Sequence, residues 1–255
     1  MPADGENVAN EKVYIHELID IIGHGRAKYM HHMTANWCPI GRAERGQLCF
    51  GVWGTVGSTG RWPEVVNLWE EPGWDGLAAS FAHETGHPSL QDPSLAAWWA
   101  EAAKYRSGGL DRILVPAPWM RTIDELCRDG VRCGAFTAHE IVQVATDGTQ
   151  EFLERVRDVG AGAYAAFGLE LLGAFRTVLR DDAECVLLWK IPRATDWSRF
   201  ERAQDGDAGL ARWRDAVRGL AQSWRRTLLV DAPLSPLRTG RQPQESDRKP
   251  LDEIR

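Results

Sequence analysis

Hydrophobic and polar positions along this chain fall into one pattern that occurs twice. Val13 to Ile22 is rich in β-branched residues and too short for a buried helix, which predicts a strand. Gly25 to Arg45 is longer, and Met30, Met33 and Trp37 share one helical face until Pro39 interrupts it. Strands are predicted at Leu48 to Val56 and Glu64 to Glu70, joined by the turn-forming Gly57-Ser58-Thr59-Gly60. A helix then runs through Trp98-Trp99 to Arg106, where Gly108-Gly109 ends it, and Asp111 to Val115 is a short last strand. The second half gives strand Ala135 to Val144, helix Thr149 to Leu172, strands Ala174 to Leu179 and Glu184 to Ile191, helix Leu210 to Arg225, and strand Thr227 to Val230. Each half reads β-α-β-β-α-β, the split unit of ferredoxin-like domains.

Four collinear matches tie the halves together. Ile15-His16-Glu17-Leu18-Ile19 matches Ala138-His139-Glu140-Ile141-Val142, and Leu68-Trp69 matches Leu188-Trp189. Trp98-Trp99 matches Arg212-Trp213, and Leu114-Val115-Pro116-Ala117-Pro118 matches Leu229-Val230-Asp231-Ala232-Pro233. The offsets are 123, 120, 114 and 115 residues, as short loop insertions and deletions within a tandem repeat would leave them. A sheet covered by helices on one face must bury the other, and a second copy of the sheet is the available cover. The predicted fold class is therefore α+β: two tandem ferredoxin-like units closing an intrachain dimeric α/β barrel. Residues 12–120 form the first unit, 121–131 a linker and 132–237 the second unit. Residues 1–11 are read as disordered, and the polar, proline-broken segment 238–255 as a mobile tail.

Composition then narrows the function. A hydrophobic content of 44% with 12 Trp is ample for a packed core. The net charge of −6 argues against nucleic acid or an anionic membrane as partner, and no apolar run approaches a membrane span. The first residues show no secretory signal pattern, and the five scattered cysteines read as thiols, so a cytoplasmic location is expected. A homodimer is left open. No phosphate loop and no G-x-S-x-G occurs, which disfavours nucleotide use and serine hydrolysis.

The chain resembles the NIPSNAP family of the dimeric α/β-barrel superfamily. The resemblance is carried by Glu17-Leu18, by Gly51 with Trp53 and Gly57, by Val65-Val66-Asn67-Leu68-Trp69 and by Ile113-Leu114-Val115-Pro116. In the second half it is carried by Glu140-Ile141, Asp147-Gly148 and Leu188-Trp189. It extends from Val13 to Pro233, but Ile19 stands where the family usually places an Arg. It implies a cavity between sheet and helices and places the two glutamates on the barrel-lumen face. It implies no single reaction, because relatives by fold include cofactor-free monooxygenases, isomerases, cyclases, dehydratases and haem enzymes.

The repeated His-Glu pair is the first candidate for chemistry. Side chains alternate on a strand, so Glu17 and Glu140 face away from His16 and His139. Each carboxylate shares its face with apolar neighbours, where burial would raise its pKa toward the range useful to a general acid or base. The bland reading is a structural ion pair, or a satisfied core imidazole for each histidine. Tyr14, Trp53, Trp69, Trp189 and His31 are candidate substrate contacts, the strand tryptophans lining a cavity suited to a hydrophobic ligand or simply filling the core. The second signal is His83-Glu84-Thr85-Gly86-His87, a literal H-E-x-x-H that on a helix could hold Zn²⁺ with Glu84 as base. Gly86 and Pro88 weaken that helix, no third ligand is evident, and the segment reads as an insertion without a counterpart in the second half. The reading is a cofactor-independent enzyme acting by proton transfer on a hydrophobic small molecule, of isomerase, cyclase, dehydratase or monooxygenase type. The alternatives are a metal- or haem-dependent enzyme using His83 and His87 or another histidine, and a non-catalytic binding or scaffold protein.

Overall fold

The computed structural model describes residues 9–255, with Ser94 described by its backbone alone. Most of the segment expected to be disordered, residues 1–8, lies outside the described residues. Asn10 is held by backbone contact to Pro118 and by its side chain to Tyr14 and Met120.

The first unit runs β1 (Val13–Ile21), α1 (Arg26–His31), a π-helical segment (His32–Trp37), α2 (Cys38–Arg45), β2 (Leu48–Thr55), β3 (Glu64–Glu71), α3 (Trp74–Thr85), α4 (Pro93–Ala102) and β4 (Arg106–Pro116). After α5 (Ile123–Arg128) the second unit repeats it: β5 (Phe136–Val144), α6 (Thr149–Arg155), a π-helical segment (Val156–Gly160), α7 (Ala161–Ala165), β6 (Glu170–Val178), β7 (Glu184–Ile191), α8 (Ala194–Ala203), α9 (Ala208–Ala216) and β8 (Ala221–Asp231). The α10 turn (Pro236–Thr239) and two 3₁₀ turns follow. All strand pairs are antiparallel, and the eight strands close in the order β1-β3-β2-β8-β5-β7-β6-β4. The two inter-unit seams, Trp53 to Thr55 on β8 and Ile113 to Pro116 on β6, leave neither sheet with an open edge. This is an α/β barrel of the dimeric type made within a single chain.

Glycine at one position of each unit makes the barrel wall bend. A Cβ on Gly51 would come within 2.2 Å of the Trp53 ring, and one on Gly173 within 2.5 Å of the Phe175 ring. Both glycines sit at a register shift in β2 and β6, where the aromatic two residues on folds back over the glycine.

The lumen is packed with Tyr14, Phe50, Trp53, Leu68, Phe175, Leu188 and Leu229, drawn from both units. Separate helix-side cores lie under the first unit, with Ile19, Met33, Trp37, Trp69 and Trp98, and under the second, with Phe152, Tyr164, Trp189, Phe200 and Trp213.

Several expectations are corrected. The helix of the first unit passes through Pro39, because a π-helical turn precedes it and Pro39 then occupies the first turn of α2, where its missing N–H is not needed. The last strands are longer than expected. β4 begins at Arg106 and β8 at Ala221; β4 starts with polar residues and glycines, and β8 with Ala221-Gln222-Ser223, so neither start carries the alternating apolar pattern of a strand. The linker is a capped helix: Thr122 and Glu125 form a capping box, and Ile123 and Leu126 plug the lumen. The tail read as mobile is laid against the first unit, where Gln242 bonds both backbone groups of Cys49 and Arg248 bonds Ala35 O. The H-E-x-x-H segment is not an insertion, since α3 has its counterpart in α8; only the loop after it is longer.

Candidate functional site

Alternation on β1 and β5 places Glu17 and Glu140 toward the helices and His16 and His139 in the lumen, the reverse of the face expected. The histidines meet at the barrel centre. Their Nε2 atoms are 3.0 Å apart and their rings stack at 5.0 Å. Both are buried, and both pKa values fall, His139's to about 3, because burial penalises the charged ring and Arg112 adds positive potential. Tyr14 and Trp53 are also lumen residues, and the Tyr14 hydroxyl donates to Glu70 Oε2 at 2.8 Å. His31 accepts the Lys249 backbone N–H from the tail. None of the five lines the cavity described next.

The glutamates occupy equivalent places in the two units but unequal surroundings. Glu140 is fully buried. Its Oε2 accepts from Trp189 Nε1 at 3.0 Å, and its Oε1 from Arg226 Nε at 2.6 Å and Tyr164 at 3.3 Å. No oxygen of Glu140 is free. Glu17 Oε2 accepts from Trp69 Nε1 at 2.9 Å and Asn67 Nδ2 at 2.8 Å, while its Oε1 has no partner among the described residues. It opens onto a cavity of about 430 Å³ between β1, β3, β4 and the helices of the first unit. Trp37, Trp69, Trp98, Trp99, Phe81 and Leu95 supply its apolar walls. Glu17, Glu84 and Asp111 supply its negative charge, and Arg45, Arg106, Arg112 and Arg180 its positive charge.

Three paired positions account for the difference. Asp111 is the β4 partner of Glu17, where Arg226 is the β8 partner of Glu140. Gly41 stands four residues past the π-helical segment, where the second unit has Tyr164. Ser80 stands eleven residues after Trp69, where Phe200 stands after Trp189. In the second unit Tyr164 and Phe200 pack edge to face at 4.8 Å, with the Arg226 guanidinium 4.9 Å over Phe200. In the first unit Ser80 lines the cavity, and Trp37 and Gln47 lie over Gly41.

The electrostatics follow the geometry. Burial raises the pKa of Glu17, and the negative charge of Asp111 raises it further. The hydrogen bonds from Trp69 and Asn67 and the charge of Arg106 oppose the shift without cancelling it. Asp111 is itself raised by burial. A carboxyl shifted in this way, with one oxygen fixed and the other open, is suited to take or give a proton.

The metal candidates separate. His83 Nε2 is 2.8 Å from Asp92 Oδ2, and together with Glu44 these offer ligand atoms within 4.8 Å of one another. His87 is outside that group, and Glu84 turns to Arg45 at 3.6 Å and to the cavity. The cavity lining contains no imidazole and no thiolate, so it offers none of the usual side-chain ligands to a haem iron but a methionine.

Asp111, Arg45, Arg106, Asn67 and Ser80 were not foreseen. Extending the Leu114/Leu229 match back three residues would have paired Asp111 with Arg226 and shown that the two glutamates differ.

No family model matches the chain, and no relative is found among curated proteins. Solved structures are similar to it. A candidate monooxygenase from Lactobacillus acidophilus is 12% identical, with 88% of this chain and 95% of that one covered and a TM-score of 0.58. An anthrone oxidase-like protein is 13% identical over 88% of this chain and 94% of that one, at a TM-score of 0.55. A NIPSNAP family protein from Agrobacterium tumefaciens is 22% identical but aligns with only 40% of this chain and 98% of that one, at 0.36. The fold is that of the dimeric α/β-barrel class. Membership of the NIPSNAP family itself is not established by these likenesses. Among the described residues no helix is long and apolar enough to cross a membrane.

Proposed function

We propose that this protein is a small-molecule enzyme whose reaction begins with proton abstraction by Glu17 in the first-unit cavity. One observation carries the reading. The two glutamates are copies of each other, yet one is closed by Arg226 and Tyr164 while the other keeps an oxygen open to an aromatic-walled cavity. The substrate has an aromatic body flat enough to lie among Trp37, Trp69 and Trp99, and it carries an acidic C–H or O–H. That bond breaks, its proton passes to Glu17 Oε1, and the electron pair stays on the substrate. Returning the proton elsewhere gives isomerisation, and loss of a leaving group gives dehydration. Reaction of the anion with molecular oxygen gives oxygenation, a course supported by neighbours of this fold named as monooxygenase or anthrone oxidase-like. The room in the cavity favours a ligand-binding role over a pure scaffold.

Deuterium uptake from D₂O into anthrones and other enolisable aromatic ketones, followed by proton NMR, reads the first step whatever follows it. The wild type and Glu140→Gln should exchange alike, and Glu17→Gln should fall to the uncatalysed rate. Exchange by Glu17→Gln at the wild-type rate would sink the mechanism.

A metal-dependent reading has one observation in its favour, the His83–Asp92–Glu44 group. Zinc binding lost in His83→Ala, measured by metal analysis after dialysis, would support it; wild-type protein that retains no zinc ends it.

A further inference from the structure

Arg45 enters the cavity from the end of α2, and its side chain is only 5% exposed. Its Nη1 donates to Ser80 Oγ at 3.2 Å, and its guanidinium lies 5.3 Å over the Trp37 ring. Its Nε and Nη2 are buried and have no hydrogen-bond partner. A guanidinium with two unmatched donors in a low-dielectric site is costly, and a planar oxyanion is the group that fits its fork. The nearest charge is poorly placed to satisfy it. Glu84 Oε2 stands 3.6 Å from Nη1, too far for a good hydrogen bond, and the Glu84 side chain is 35% exposed on the last turn of α3. Glu71 is also near, but burial raises its pKa even against the pull of Arg45. Its Oε1 accepts from Gln47, and its Oε2 is left without a partner.

We infer that Arg45 is the anchor for a carboxylate on the substrate, and that Glu84 is a loosely held stand-in which the substrate displaces. This rests on the cavity proposed above and adds a substrate class to it, an aromatic or polycyclic acid. One end is recognised by Arg45 while the other reaches Glu17. It also gives Glu84 of the H-E-x-x-H segment a role that is not metal chemistry.

The test uses 2-naphthoate and its neutral analogue 2-naphthamide, with binding followed by tryptophan fluorescence and calorimetry. Wild type should bind the acid at least about tenfold more tightly than the amide, a preference Arg45→Met should erase while leaving amide binding in place. Glu84→Ala should tighten acid binding several-fold, since it removes the competitor; a merely structural Arg45–Glu84 pair predicts no gain. Equal affinity for acid and amide in wild type, or no tightening in Glu84→Ala, overturns the anchor and leaves the cavity reading standing. Failure of both probes to bind overturns both. If Arg45→Met does not fold, the Glu84→Ala result decides alone.

Discussion

At the scale of single residues, the pair of glutamates shows how one neighbour sets the character of a carboxyl. Glu140 has Arg226 across the strand pair and Glu17 has Asp111. Replacing Asp111 by Asn removes a charge that raises the Glu17 pKa, so the acid limb of the kcat/KM profile should move to lower pH. Trp69→Phe removes a hydrogen bond to the carboxylate and should move it higher. A profile unmoved by both would separate activity from Glu17. The sign for stability is fixed in the same way. A carboxyl raised in the folded state contributes most when protonated and loses that contribution as pH rises through its folded pKa. Glu17→Gln should therefore gain more in Tm at pH 8 than at pH 4. Glu140→Gln should instead destabilise at neutral pH by about 2 kcal/mol, below the full buried-pair value because Arg226 retains 23% exposure. The shift of its chemical denaturation midpoint measures this.

At the scale of elements, α2 and α3 decide which unit is open. Both units place a π-helical segment at the same point of the first helix, yet the residue four positions beyond is Gly41 in one and Tyr164 in the other. Position 80 on α3 is serine where α8 carries Phe200. Putting the second unit's residue into the first, as Ser80→Phe, should close the cavity. Ligand affinity should fall about tenfold or more while Tm is held or raised, because the new ring fills existing space. Undiminished binding would place the ligand elsewhere. The first and closing helices of each unit were legible from the sequence, whereas α3, α8 and α5 were not. The π-helical turn that carries the chain past Pro39 was not, because it depends on backbone bonding that no periodicity reports. Nor were the full lengths of β4 and β8, whose starts, Arg106-Ser107-Gly108-Gly109 and Ala221-Gln222-Ser223, lack an alternating apolar pattern.

At the scale of the whole molecule, the pseudo-twofold brings His16 and His139 together across the lumen, though they are 123 residues apart. Their lowered pKa values make the barrel sensitive to acid. A histidine that resists protonation when folded gives stability that is whole above its unfolded pKa and lost as pH falls below it. For His139, between about pH 6.5 and its folded value near 3, stability should fall by about 1.4 kcal/mol for each pH unit, and His16 adds loss of the same sign. The positive potential of Arg112 and Arg225 adds to the shift of His139. Thermal melts from pH 7.5 to 5 should show this slope, and a His16→Leu/His139→Leu double variant should flatten it. An equal slope in the variant would assign the acid sensitivity to other groups.

The sequence by itself determined the repeat, and through it the α+β class, the four strands of each unit and the need for two sheets to cover each other. Local periodicity and collinear matches suffice for that, because strand and helix formation and the burial of one sheet face are properties of short segments. It also marked the His-Glu pairs as the residues to watch. Only the tertiary structure decided which face they took, that the histidines would serve the lumen, and that one glutamate would be sealed while the other opened on a cavity. Those outcomes depend on Asp111, Arg226, Gly41, Tyr164, Ser80 and Phe200, which lie far from the glutamates in sequence. They meet them only when the strands pair and the helices fold over the sheet.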